Sequence, residues 1–281
     1  MTLKDMRACA HNVLEYFIDI MQDVPFTEDD IIISFAKKVE MATQALALCS
    51  QCCPDKTLTE NQLLELGESI AANALIGKEK SAILVRINSK INKLEFKRMI
   101  FHELMHIYCA KMEIDENHFI DIYGSGTTYN CSPDEEAYDG IIVAGYNVWS
   151  EFIAQYFAIK MIDKKSRRFN DIAEFINRLF HEVTIIDLEL SKKAFSMICA
   201  CWLNCLDFKE TLASLYESSF SPLSDEPHGA ETQEALCDCT DYMYMQMQRD
   251  KPWKIDEEFI YLLGFKFSAF RILNSQYLGV I

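Results

Sequence analysis

Apolar and polar positions alternate with a helical period over the first fifty residues. Val13, Leu14, Phe17, Ile18 and Met21 share one face, which predicts an amphipathic helix over 4–22. A second helix is expected over 27–50. Thr27 can cap it, and Glu28, Asp29 and Asp30 follow in the first turn, where the helix dipole favours acids. Residues 58–69 carry a third, with Thr57 or Thr59 as the cap. The pattern then changes. Ser69 to Ile76 and Ala82 to Ile87 are short apolar runs around Gly77-Lys78-Glu79-Lys80, a hairpin signal. The strongest strand is Ile83-Leu84-Val85-Arg86-Ile87-Asn88.

Helical periodicity returns over 94–112, with Phe96, Ile100, Phe101, Leu104, Ile107 and Tyr108 as its apolar positions. Residues 113–139 are polar and turn-rich and read as a long loop, a feature that is often functional in a compact domain. Tyr146 to Ile162 is an apolar helix. Further helices are expected over 167–182, 188–206, 208–218, 230–249 and 255–274, with a linker at Ser221 to Pro227. The fold class that follows is α+β and mostly helical.

Composition narrows the function. Of 281 residues, half are hydrophobic and a quarter charged, as in ordinary globular chains. The net charge of -16 repels nucleic acid backbones, so no nucleic-acid partner is expected. No apolar run approaches the roughly 20 residues that cross a bilayer, so no membrane partner is expected either. Eleven cysteines, an odd number, follow an N-terminus that reads as an amphipathic helix rather than a signal peptide. They are expected to be reduced thiols in a cytoplasmic protein.

The candidate chemistry is His102-Glu103-Leu104-Met105-His106. Four helical residues turn about 400° and rise about 6 Å, so both imidazoles leave the same face. Two nitrogens at that spacing can share one tetrahedral Zn²⁺. Glu103 need not touch the metal; it can take a proton from the water the metal activates. The motif lies in a predicted helix directly after a strand. This predicts a zinc-dependent hydrolase with His102 and His106 as metal ligands and Glu103 as general base.

A catalytic zinc has three protein ligands. A metzincin places its third His at position 112, which is Met112 here. Glu151 is the foremost candidate, an acid in the otherwise apolar run Val148-Trp149-Ser150-Glu151-Phe152-Ile153. Burying a carboxylate demands a cationic partner. Zn²⁺ is one, and a Lys or Arg, or plain exposure, are the alternatives. Rival ligands are His118, Asp115, Glu116, Asp121, Asp134, Glu135 and Glu136. Tyr138, Tyr146, His118 and His181 are available to stabilise an oxyanion.

Strand, motif helix and downstream Glu in this order resemble the gluzincin branch of the zincin-like metallopeptidases. The run from Ala82-Ile83-Leu84-Val85-Arg86-Ile87-Asn88 through Phe96 to His106 is similar to the ImmA/IrrE-type peptidases. The resemblance covers roughly residues 70–160. It implies a zincin-like fold there; with the flanking helices the expected organisation is a catalytic core over 1–165 with N-terminal helices and a helical C-terminal region over 166–281, packed separately or as one domain with the core. It also implies a Zn²⁺ cofactor, a protein or peptide substrate, and a strand over Ala82 to Asn88 that forms the sheet edge to which the substrate adds. A catalytically inactive zincin-fold interaction protein is the alternative function. A protease whose loop 113–139 covers its own cleft is a third. Oligomeric state is open.

Other features weigh less. Cys49-Ser50-Gln51-Cys52-Cys53 contains a C-x-x-C, and Cys199, Cys201, Cys205, Cys237 and Cys239 cluster in sequence. Free cysteine is usually a small buried hydrophobe, and that reading takes precedence over a second metal site.

Overall fold

The computed structural model describes residues 1–68, 71–112, 133–162, 178–179, 181–205 and 227–280. The chain divides into two compact units: Met1–Ile114 with Met161–Asp163, and Asp115–Lys160 with Lys164–Ile281. The architecture is mostly helical with one small three-stranded sheet, as the α+β expectation has it.

In the first unit, α1 (Leu3–Ile20) starts at a capping box. The Thr2 hydroxyl accepts from the Asp5 N–H, and the Asp5 carboxylate accepts from the Thr2 N–H. The helix buries Met6, Val13, Leu14 and Phe17. Phe17 meets Phe101 and Tyr108 of α4 (Lys93–Lys111) at ring separations of 4.8 and 5.9 Å. The helix expected over 27–50 is overturned. Thr27 and Asp30 do form a capping box, but on a single 3-10 turn. The chain then extends as β1 (Ile31–Ala36) and becomes helical only at α2 (Met41–Cys52). The Ile-Ile-Ile-Ser-Phe run is β-branched and aromatic, and a pleated ladder suits it better than a helix.

Helix α3 (Glu60–Glu68) takes Thr59 at its start, where Thr59 and Gln62 exchange side chain–backbone hydrogen bonds at 2.9 and 3.3 Å. The predicted hairpin is present, as β2 (Ala72–Leu75) antiparallel to β3 (Ser81–Arg86). The expected edge position of the second strand is overturned. The sheet order is β1-β3-β2, with β1 running parallel to β3 from Ile31 opposite Ser81 to Ala36 opposite Arg86. A central strand has both backbone edges paired and both faces covered, which accounts for its unbroken apolar sequence. Ala82 and Leu84 pack with Met41, Leu48 and Leu66 from α2 and α3. By alternation, Ile83 and Val85, also fully buried, serve the opposite face.

In the second unit, α5 (Pro133–Ile162) begins earlier than expected. Residues 133–139 are helical rather than loop, and Pro133 occupies the first helical position, where its missing N–H costs nothing. The rest of the predicted loop, 113–132, lies outside the described residues, as do the linker at 221–226, the helix at 208–218 and most of that at 167–182. α6 (Leu188–Cys205), α7 (Pro227–Met247) and α8 (Glu257–Tyr277) agree with expectation to within a few residues. Their core is aromatic, with Trp149 edge-on to Phe259 and Phe195 against Phe267 and Phe270, all at 5.0–5.1 Å. Ser196 ties α6 to α5 through a 2.9 Å bond to the Val148 carbonyl. Gly145 of α5 and Gly264 of α8 let the two helix backbones touch. Among the described residues, no helix is long and apolar enough to cross a membrane.

Candidate metal centre

Helix α4 is fixed at both ends. Asn92 caps it, accepting from the Glu95 N–H at 2.9 Å, while Glu95 returns a bond to the Asn92 N–H. At the far end, the Lys111 ammonium donates to the carbonyls of Lys78 and Glu79 in the hairpin turn, at 3.0 and 3.1 Å. Between these points Phe96, Ile100, Phe101, Leu104, Met105, Ile107 and Tyr108 are fully buried. Tyr108 donates to the Gln22 carbonyl at 2.9 Å, and burial pushes its phenol well above the usual range. It is a structural donor held in the neutral form. Replacing Asn92 with Ala is expected to cost about 1 kcal/mol of stability. A shift of the denaturation midpoint at unchanged slope checks this.

His102 and His106 emerge half-buried from this helix. Their Nε2 atoms are 3.0 Å apart and their rings stand at 87° to one another. Two nitrogens bound tetrahedrally to Zn²⁺ at about 2.0–2.1 Å sit about 3.3 Å apart, so the pair is close to ligating geometry. Glu103 is buried at 8% exposure on the next position of the helix. Glu151 lies half-buried on α5, beside the fully buried Phe152. The two histidines belong to the first unit and Glu151 to the second. Two imidazoles at this separation suit Zn²⁺, which takes a third protein ligand and a water in catalytic sites.

The remaining candidates divide three ways. His118, Asp115, Glu116 and Asp121 lie outside the described residues. Asp134, Glu135, Glu136 and Tyr138 fall in the first turns of α5, and Tyr146 is half-buried further along it. His181 is an exposed turn residue just beyond the helical residues 178–179. Sequence reasoning passed over Arg98, half-buried one turn before His102. Its signal was the i, i+4 spacing that continues the histidine stripe backwards along α4.

Within the first unit, among the described residues, His11, Glu15 and Glu28 bring three metal-type side chains together. All are exposed, with His–carboxylate separations of 3.4 and 3.5 Å, and such surface pairs contribute little. That group contains no cysteine. Cys49 donates weakly to the Lys56 carbonyl at 3.4 Å at the end of α2. Burial pushes the Cys52 and Cys53 thiols up, and takes Cys199 and Cys237 to about 12. Burial therefore favours the neutral thiol at each of these positions.

Comparison of the chain with family models, with curated proteins and with solved structures returns no match.

Proposed function

We propose that the protein is a zinc-dependent hydrolase, a peptidase with a zincin-like core, in which His102, His106 and Glu151 hold the metal. The observation that carries this reading is the imidazole pair on one face of α4, with Nε2 atoms 3.0 Å apart and the buried Glu103 between them in sequence. Bound there, Zn²⁺ supplies a Lewis acid that polarises both a water molecule and a scissile carbonyl. Glu103 then accepts the proton of the attacking water and returns it to the leaving amine. Its near-complete burial keeps bulk water from competing for that carboxylate.

A peptide substrate agrees with the sheet. Because β3 is central, it cannot receive an added strand. β2 can: among the described residues its outer edge pairs with no strand, and it packs against α4. An extended peptide adding to that edge gains main-chain hydrogen bonds beside the motif helix. Peptidase action in the cytoplasm is the corresponding cellular proposal.

The same 3.0 Å separation also favours a second reading, a metal-free pair in which one neutral imidazole donates to the other. A catalytically inactive interaction protein is the corresponding function. Zinc analysis of wild type and Glu151→Ala, both purified without added metal, separates the two. We expect about one zinc per chain in wild type, at least tenfold less in the variant, and peptide-library cleavage by the wild type alone. Zinc retained in the variant removes Glu151 from the site. A wild type that neither carries nor takes up zinc overturns the hydrolase in favour of the hydrogen-bonded pair.

A further inference from the structure

The first unit contains a cleft of about 340 Å³ lined by Asp5, Ala8, Cys9 and Asn12 of α1 and by Lys93 and Lys97 of α4, with Met1 completing the wall. Its electrostatics run against the rest of the molecule. The chain as a whole carries -16, yet here two ammonium groups stand one turn apart on the same helix face. Like charges at that spacing destabilise a helix. Neither lysine has an ion-pair partner among the described residues. The one carboxylate in the lining, Asp5, is already committed. It accepts from the Thr2 hydroxyl at 2.6 Å and the Thr2 N–H at 3.1 Å, and these bonds hold it below the usual carboxylate range. Cys9, only 4% exposed, has its thiol pushed up by burial, with the Lys97 and Lys93 charges opposing that shift.

Size and lining define the complementary ligand. Small-molecule sites occupy about 300–1,000 Å³, and this cleft is at the lower end of that range. Ala8 and Cys9 offer a short apolar wall, and the Asn12 amide offers a donor and an acceptor. Two adjacent ammonium groups suit a compact dianion with several acceptor oxygens better than a single carboxylate. We propose that this cleft binds a small phosphomonoester, with its phosphate between Lys93 and Lys97 and its organic part against Ala8 and Cys9. The site stands apart from the histidine pair and does not depend on zinc. Because α4 carries both, occupancy of the cleft bears on the helix that holds the metal ligands.

Glycerol 3-phosphate is a suitable probe, titrated calorimetrically into the full chain. Wild type is expected to give one saturable site. The Lys93→Gln/Lys97→Gln variant is expected to bind at least tenfold more weakly while keeping its zinc content and melting temperature. A Lys93→Arg/Lys97→Arg variant, which preserves the charge, is expected to retain binding, and it keeps the test decisive should the glutamine variant fold poorly. The proposal is overturned by no saturable binding to wild type or by equal binding to wild type and the glutamine variant. Sedimentation of the wild type with vesicles containing phosphatidic acid, without binding of the soluble ester, also overturns it, because the phosphate would then belong to a lipid surface.

Discussion

Glu103→Gln is expected to keep its zinc and lose turnover, with kcat falling by about 10²–10⁴. Gln matches Glu in shape, so the buried position, at 8% exposure, is filled without a cavity or a clash. What disappears is the ability to accept a proton. If His102, His106 and Glu151 hold the metal as proposed, none of them is altered, and zinc per chain stays at the wild-type value. The paired measurement of metal content and cleavage rate is therefore diagnostic. Zinc lost together with activity makes Glu103 a ligand or a support of the site. Zinc kept with full activity removes it from the chemistry altogether.

The second large effect is on stability. An exposed glycine inside a helix normally gains about 1 kcal/mol on becoming alanine. Gly145 and Gly264 reverse that sign. A Cβ built on Gly145 falls 2.0 Å from the Ile260 carbonyl oxygen, and one on Gly264 falls 2.0 Å from the Ile141 carbonyl oxygen. Both obstacles are backbone, so no side chain can rotate aside and the two helices must part. Overpacking costs about 1–3 kcal/mol where side chains can adjust, so either substitution is expected to reach about 3 kcal/mol or more. Gly140→Ala on the same helix is the control, because nothing lies within 4 Å of its added Cβ. It is expected to be neutral or stabilising. Urea denaturation of the three variants checks the contrast, and a Gly145→Ala protein as stable as Gly140→Ala would refute the close crossing.

Much of this was legible in the sequence wherever the governing interaction is local. The apolar face of α1, the hairpin around Gly77 and the histidine stripe of α4 each depend on residues a few positions apart, and each is found as expected. β1 was misread for the opposite reason. Thr27-Glu28-Asp29-Asp30 is a genuine capping sequence, and it does cap a turn, but the next six residues are decided by a partner strand fifty positions away. Period and cap chemistry carry no information about that partner. The central place of β3 was missed with it: the zincin resemblance implied an edge strand, and β1, which pairs its other side, was read as helix. Glu151 is intermediate. Its apolar neighbours marked it as an acid needing a cation, but forty-five positions separate it from His106, and no helical spacing could have picked it over Asp134 or Glu135.

The order of the sheet also has a kinetic side. The hairpin partners β2 and β3 are joined by 5 residues, 76–80, whereas β1 and β3 are separated by 44, residues 37–80. Each doubling of a loop adds about 0.6 kcal/mol of closure entropy, so the parallel ladder begins about 2 kcal/mol behind the hairpin. Contacts of long sequence separation also slow folding. The hairpin and the helix that follows it can therefore associate first, setting His102 and His106 one turn apart before β1 arrives. The parallel strand then locks an assembly whose histidine pair already exists, and if that pair binds metal as proposed, an ion present during synthesis would meet it on a partly folded chain.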